Sequence, residues 1–240
     1  MCHSDDSRPP GPPNPGGVAE HGPLVLTAED GNKSDAYLAR PETPNGMNVV
    51  LLPDRRGKHP FYDALAQRFA EAGFTAIAFD YFGRTAGLGP RAEDFDWQEH
   101  LREVQPAHVR ADAAAALGQL DGAPTFSVGF CFGGSHSWRL AGSELDLAGC
   151  VGFYGKPSMV EDVLPEFHRP LLMLVAGADA ATPTTEFHAM EERLTEQEKP
   201  HDMHIYEGAP HSFFDVGFAQ WQDACADAWR RIIEFTERYR

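Results

Sequence analysis

The run Thr125-Phe126-Ser127-Val128-Gly129-Phe130-Cys131-Phe132-Gly133-Gly134-Ser135-His136 decides how this chain reads. Its centre, Gly129 to Gly133, has the form Gly-x-Cys-x-Gly, a nucleophile elbow with cysteine in the reactive position. The residues before it predict a buried strand over 125–128, and those after it a helix over 134–141. A strand that turns at once into a helix strains its central residue and projects that side chain outward. Small neighbours are needed because the two backbones approach closely. The helix start also aims free N–H groups at the site, which favours a thiolate and a developing oxyanion. A buried core cysteine satisfies the same short pattern, so the assignment depends on the rest of the chain.

Outward from the elbow, short apolar runs alternate with helical spacings. Residues 24–28 and 35–40 flank Glu29-Asp30-Gly31-Asn32 and predict a β-hairpin. Buried strands are predicted at 48–52, 75–79, 148–153, 170–176 and 203–206. Helices are predicted at 61–72, 109–120, 186–196 and 219–239, with Gly73 as a C-cap of the first. Alternating buried strands and helices mean an α/β chain: a mostly parallel central sheet with helices on both faces. In such sheets ligands bind at the carboxyl ends of the strands, where Cys131 falls. Residues 1–23, rich in proline and glycine, predict an irregular arm, and 24–240 a single domain. Cys2 and His3 read as part of a frayed terminus rather than as metal ligands.

A thiol nucleophile needs a base, and the base needs an orienting group. Asp179 follows the strand at 170–176, and His211 lies between the last strand and the final helix. Both are loop residues on the edge that carries Cys131, in the order nucleophile, acid, histidine. That pattern predicts a Cys131-His211-Asp179 triad. The oxyanion is expected to meet the backbone N–H groups of Phe132 and of Arg55, in the loop after strand 48–52.

On Gly129–Gly134, Val151-Gly152-Phe153-Tyr154-Gly155, Gly177-Ala178-Asp179 and Gly208-Ala209-Pro210-His211-Ser212-Phe213, the chain resembles the dienelactone hydrolase family of α/β hydrolases. The resemblance spans roughly residues 24–239 and implies the α/β-hydrolase fold. It implies cofactor-independent hydrolysis of a small ester or lactone through an acyl-cysteine. It also implies an acidic residue that engages the resting thiol, here Asp54, where members that cleave dienelactone carry glutamate. Those members hold the substrate carboxylate with two arginines. Asp215 stands in one of those places, and only Arg91 lies near the other. An aspartate repels an anionic substrate, so dienelactone itself is not the expected substrate. Tyr154 and Phe213 are candidates to line the pocket, Trp97 to border the cleft, and Arg84, with Arg55, Arg56 and Lys58, to supply positive charge at its mouth.

The net charge of −16 excludes nucleic acid and anionic membrane surfaces as expected partners. No apolar run approaches the ~20 residues of a spanning helix. The first residues lack the basic and apolar parts of a signal peptide. Four scattered cysteines suggest neither a disulfide framework nor a zinc site, and point to a reducing, cytoplasmic setting. No metal and no cofactor is expected, and the chain is expected to act as a monomer or small homo-oligomer. Two other readings share the fold: a thioesterase or acyltransferase, and a non-catalytic small-molecule-binding homologue.

Overall fold

Strand β3 (Asn48–Leu52) shows how the fold is built. All five residues are buried, with Val49 and Leu51 facing one core and Val50 and Leu52 the other. A strand covered on both faces must lie inside a sheet sandwiched by helices. β4 (Thr75–Phe79) and β7 (Leu171–Ala176) repeat the same division of alternate residues. The structure, a computed structural model describing residues 3–240, places these strands in one eight-stranded sheet.

The other strands are β1 (Val18–Thr27), β2 (Lys33–Pro41), β5 (Thr125–Phe130), β6 (Gly149–Phe153) and β8 (His201–Tyr206). Their order is β1-β2-β4-β3-β5-β6-β7-β8. The β1–β2 hairpin packs antiparallel against β4, and all pairs from β4 to β8 are parallel. Helices α1 (Pro60–Glu71) and α7 (Gln222–Tyr239) cover one face. Phe61, Leu65 and Phe69 recur on one side of α1, and Cys225, Trp229, Ile232 and Phe235 on one side of α7. The short helices α2 (Gly83–Ala86) and α3 (Trp97–Leu101) precede α4 (Pro106–Leu117). α4, α5 (Phe132–Leu140) and α6 (Thr184–Glu196) cover the second face with Val109, Trp138 and Phe187. Ala113 and Ala116 of α4 are buried in the same core. Among the described residues, no helix is long and apolar enough to cross a membrane.

Two expectations change at the N-terminus. β1 begins at Val18, so the irregular lead ends earlier than Pro23: its last residues pair with β2, Pro23 opposite Tyr37. The lead is also tied down. Gly16 N–H donates to Glu71 O at 2.7 Å, and Trp229 Nε1–H to Pro10 O at 3.1 Å. His3 is buried, which corrects the frayed terminus; Cys2 lies outside the described residues.

Candidate active site

Cys131 sits between β5 and α5 with φ 55° and ψ −114°. That is a left-handed conformation that a non-glycine residue holds only when its surroundings enforce it. The enforcement is backbone proximity. A Cβ on Gly129 would lie 1.9 Å from Gly133 O, and one on Gly133 would lie 2.1 Å from Leu52 O. Only hydrogen fits at either position. Cys131 N–H donates to Phe153 O at 3.0 Å, which pins the elbow to β6. Phe132 opens α5, so its N–H belongs to the first turn, where no intrahelical acceptor exists.

The sheet register brings the other loops to the same edge. Leu52 pairs with Gly129, Gly129 with Gly152, and Ala176 with Tyr206. Ala178 N–H donates to Ala209 O at 2.9 Å and joins the Asp179 and His211 loops. His211 Nδ1–H donates to Asp179 Oδ2 at 2.6 Å, with the Asp179 side chain 1% exposed. Ala181 N–H donates to the other carboxylate oxygen at 2.8 Å and fixes its orientation. His211 also hydrogen-bonds the Cys131 thiol. Burial opposes charge on His211, but the bonds to Asp179 and Cys131 outweigh it and raise its pKa to about 9. Burial likewise opposes ionisation of Asp179, yet its bond to His211 holds it below the usual carboxylate value. The three side chains thus form one hydrogen-bonded line in which the imidazole favours its protonated form.

The loop after β3 forms the opposite wall. Tyr81 Oη–H donates to Pro53 O at 2.6 Å, and Asp54 N–H donates to Tyr62 Oη at 2.8 Å. The buried Asp54 carboxylate accepts from Arg56 N–H at 2.8 Å and meets His59 Nε2 at 3.3 Å. Burial would raise its pKa, but His59 and the Arg56 N–H hold it below the ordinary value. Asp54 and Cys131 both act on the phenol of Tyr81, whose pKa burial and these neighbouring groups push well up. The Arg55 guanidinium lies 4.5 Å over the Trp97 ring. Arg55, Trp97, Leu101, Phe132 and Met159 line a cavity of 630 Å³ on this side. A second cavity, of 740 Å³, lies on the other side, lined by Asp179, His211, Asp215, Ser7 and His3.

Several expectations about surrounding residues are corrected. Arg84 does not reach the mouth. It is bound to Asp30 at 2.7 Å and to Asp112 at 2.5 Å, against the β1–β2 turn and α4. Phe213 is wholly buried, 4.8 Å from the Tyr206 ring, and packs the core rather than lining a pocket. Tyr154 is 2% exposed, and its ring packs against that of His211, with centroids 4.7 Å apart and planes tilted by 53°. Lys58 is committed to Asp63 at 2.8 Å, and the buried Arg91 to Asp80 at 2.9 Å. Trp97 and Arg55 line one cavity with Phe132.

The sequence reading missed His59 and gave His3 no place at the site. No motif carries either residue. The only trace of His59 is its place five residues after Asp54, before the proline that opens α1. His3 reaches the site through tertiary packing alone.

The model of the dienelactone hydrolase family matches residues 34–240. The chain is 27% identical to the carboxymethylenebutenolidase of Rhodococcus opacus, an alignment covering 100% of this chain and 97% of that protein. It is 26% identical to a provisionally named carboxymethylenebutenolidase of Escherichia coli K12, covering 87% and 84%. The crystal structure of a provisionally named dienelactone hydrolase from Klebsiella pneumoniae superposes with a TM-score of 0.78 at 25% identity, over 93% of this chain and 100% of that one.

Proposed function

The chain belongs to the dienelactone hydrolase family, and on that premise we propose that it hydrolyses small, uncharged ester or lactone substrates through an acyl-cysteine on Cys131. The observation that carries this reading is the hydrogen-bonded line from Asp179 through His211 to the strained Cys131. His211 takes the thiol proton, and the thiolate attacks the carbonyl carbon. The carbonyl π electrons move to oxygen, and the oxyanion is held by the N–H groups of Phe132 and Arg55. As the tetrahedral species collapses, the C–O bond breaks and the leaving alkoxide takes the proton from His211. A lactone opens at this step and stays attached through its acyl end. His211 then deprotonates water, hydroxide attacks the thioester carbonyl, and the thiolate leaves with the acid product released. Asp179 keeps the imidazole in its productive tautomer and stabilises its charge.

Asp54 acts on the thiol through its charge, with its carboxylate held in place by His59 and the Arg56 N–H. The preference for uncharged substrates rests on Asp215. Its carboxylate lines the cavity beside His211, and among the described residues no arginine side chain lines that cavity.

Stopped-flow hydrolysis of p-nitrophenyl acetate tests the reading. A burst of p-nitrophenolate followed by steady turnover is expected from the wild-type chain, and neither from Cys131→Ala. Equal turnover by the two proteins would remove Cys131 from the reaction.

A further inference from the structure

The cavity beside His211 has a wall that the rest of the domain does not supply. His3 is 2% exposed. Its ring stacks on Phe61, with centroids 3.7 Å apart and planes 9° from parallel. His3 Nε2 hydrogen-bonds Tyr154 Oη at 3.0 Å, on the ring that packs against His211. Nδ1 stands 3.7 Å from Asp215 Oδ2. The segment that follows is fastened at both sides of the cleft. On the β3 side, Arg56 donates to His3 O at 2.5 Å and to Asp5 Oδ1 at 2.6 Å. On the histidine side, Arg8 N–H donates to Asp215 Oδ1 at 3.2 Å, and Val216 N–H to Arg8 O at 3.0 Å. Residues 3–8 therefore form a strap from the β3 loop to the loop after His211. His3, Ser4 and Ser7 of this strap line the 740 Å³ cavity together with Asp179 and His211.

We propose that this strap is a built-in wall of the substrate pocket, and that His3 is a specificity-determining residue whose ring limits the length of the acyl group beside His211. The inference rests on the hydrolase reading above for its substrate class. Its physical basis is volume. The imidazole fills space between Phe61, Tyr154 and Asp215 that an acyl chain extending past His211 would otherwise enter. Deleting the ring joins that space to the existing cavity. An added methylene accommodated by a hydrophobic pocket changes selectivity by roughly tenfold or more.

The test compares p-nitrophenyl octanoate with p-nitrophenyl acetate as a ratio of kcat/KM values. His3→Ala is expected to raise the octanoate-to-acetate ratio about tenfold over wild type. His3→Phe keeps a ring of similar size on Phe61 and is expected to return the ratio to within about threefold of wild type. Ser7→Leu narrows the cavity from the same strap and is expected to lower the ratio. It serves as the probe if His3→Ala does not fold. A second readout needs no turnover: the ratio of Cys131 alkylation rates by N-octyl iodoacetamide and by iodoacetamide, followed by peptide mass spectrometry, should move in the same directions. Absence of Cys131-dependent ester turnover, with the alkylation ratios still shifting, would defeat the hydrolase reading and keep the wall. Unchanged ratios in His3→Ala and Ser7→Leu, or a ratio in His3→Phe equal to that of His3→Ala, would overturn the proposal.

Discussion

Replacing Asp179 with asparagine keeps the side-chain shape and removes the charge opposite His211. The wild-type imidazole lies at about 9 rather than at its ordinary 6.5, even though burial alone would lower it. That displacement corresponds to about 3 kcal/mol in favour of the imidazolium, shared between Asp179 and Cys131. If Asp179 supplies about 2 kcal/mol of it, the thiolate–imidazolium pair becomes about thirtyfold scarcer at neutral pH in Asp179→Asn. The amide also allows the wrong imidazole tautomer, so the full loss in kcat/KM is expected at about 10²–10⁴-fold. The sign for stability follows from the direction. A raised histidine stabilises the fold fully below 6.5 and loses that contribution as pH climbs through about 9. Asp179 itself, held low, adds stability above its ordinary value and loses it only in acid. Wild type should thus exceed Asp179→Asn in Tm at pH 7, and the part of the gap due to His211 should close above pH 9. The assay is p-nitrophenyl acetate turnover together with the pH dependence of Cys131 alkylation by iodoacetamide. A kcat/KM within about threefold of wild type, with an unmoved alkylation profile, would refute the electrostatic role given to Asp179.

Other consequences concern the elbow and its supports. Cys131→Gly should be more stable than Cys131→Ala by about 1 kcal/mol in urea denaturation, the reverse of the usual order, because only glycine relaxes at φ 55°; the ordinary order would mean that the backbone there is unstrained. Gly129→Ala should destabilise the fold by more than about 3 kcal/mol, since its Cβ would meet Gly133 O at 1.9 Å; a Tm equal to wild type would contradict the close approach. Arg91→Ala should destabilise by about 3–5 kcal/mol in the same assay, because it leaves the buried Asp80, whose pKa burial already raises, without its cationic partner. Adding Asp80→Asn should recover part of that loss; no recovery would locate the effect elsewhere.

Much of the architecture was legible because parallel sheets have a blunt sequence signature. Val49-Val50-Leu51-Leu52 and Leu171-Leu172-Met173-Leu174-Val175 are continuous apolar runs of strand length, too short for a buried helix. The strands that the sequence predicts at 48–52 and 75–79 are observed over those same residues. β1 reads short in the sequence because His21, Gly22 and Pro23 carry little strand signal. Its first residues are held by pairing with β2 at the edge of the sheet, where half-exposed positions tolerate polar side chains. The placement of Cys131, Asp179 and His211 was legible for a topological reason: each follows a recognisable strand, and parallel strands deliver their ends to one edge.

What the sequence determined by itself is therefore whatever depends on local pattern: buried strands, the helices between them, and the elbow whose glycines leave room for crossing backbones. What the tertiary structure decided is the partnership of side chains far apart in the chain. Arg84 reads as a cation at the mouth of the cleft and Arg91 as a residue near a substrate-holding position, yet each is engaged by a buried aspartate. Phe213 reads as a pocket wall and lies in the core. His3 reads as a terminal residue and stands between Phe61 and Tyr154. Hydrophobic periodicity is set by neighbours along the chain, so it can be read in order. Burial of a charge or an imidazole depends on which distant groups fill its remaining hydrogen bonds, and only the folded chain brings those groups together.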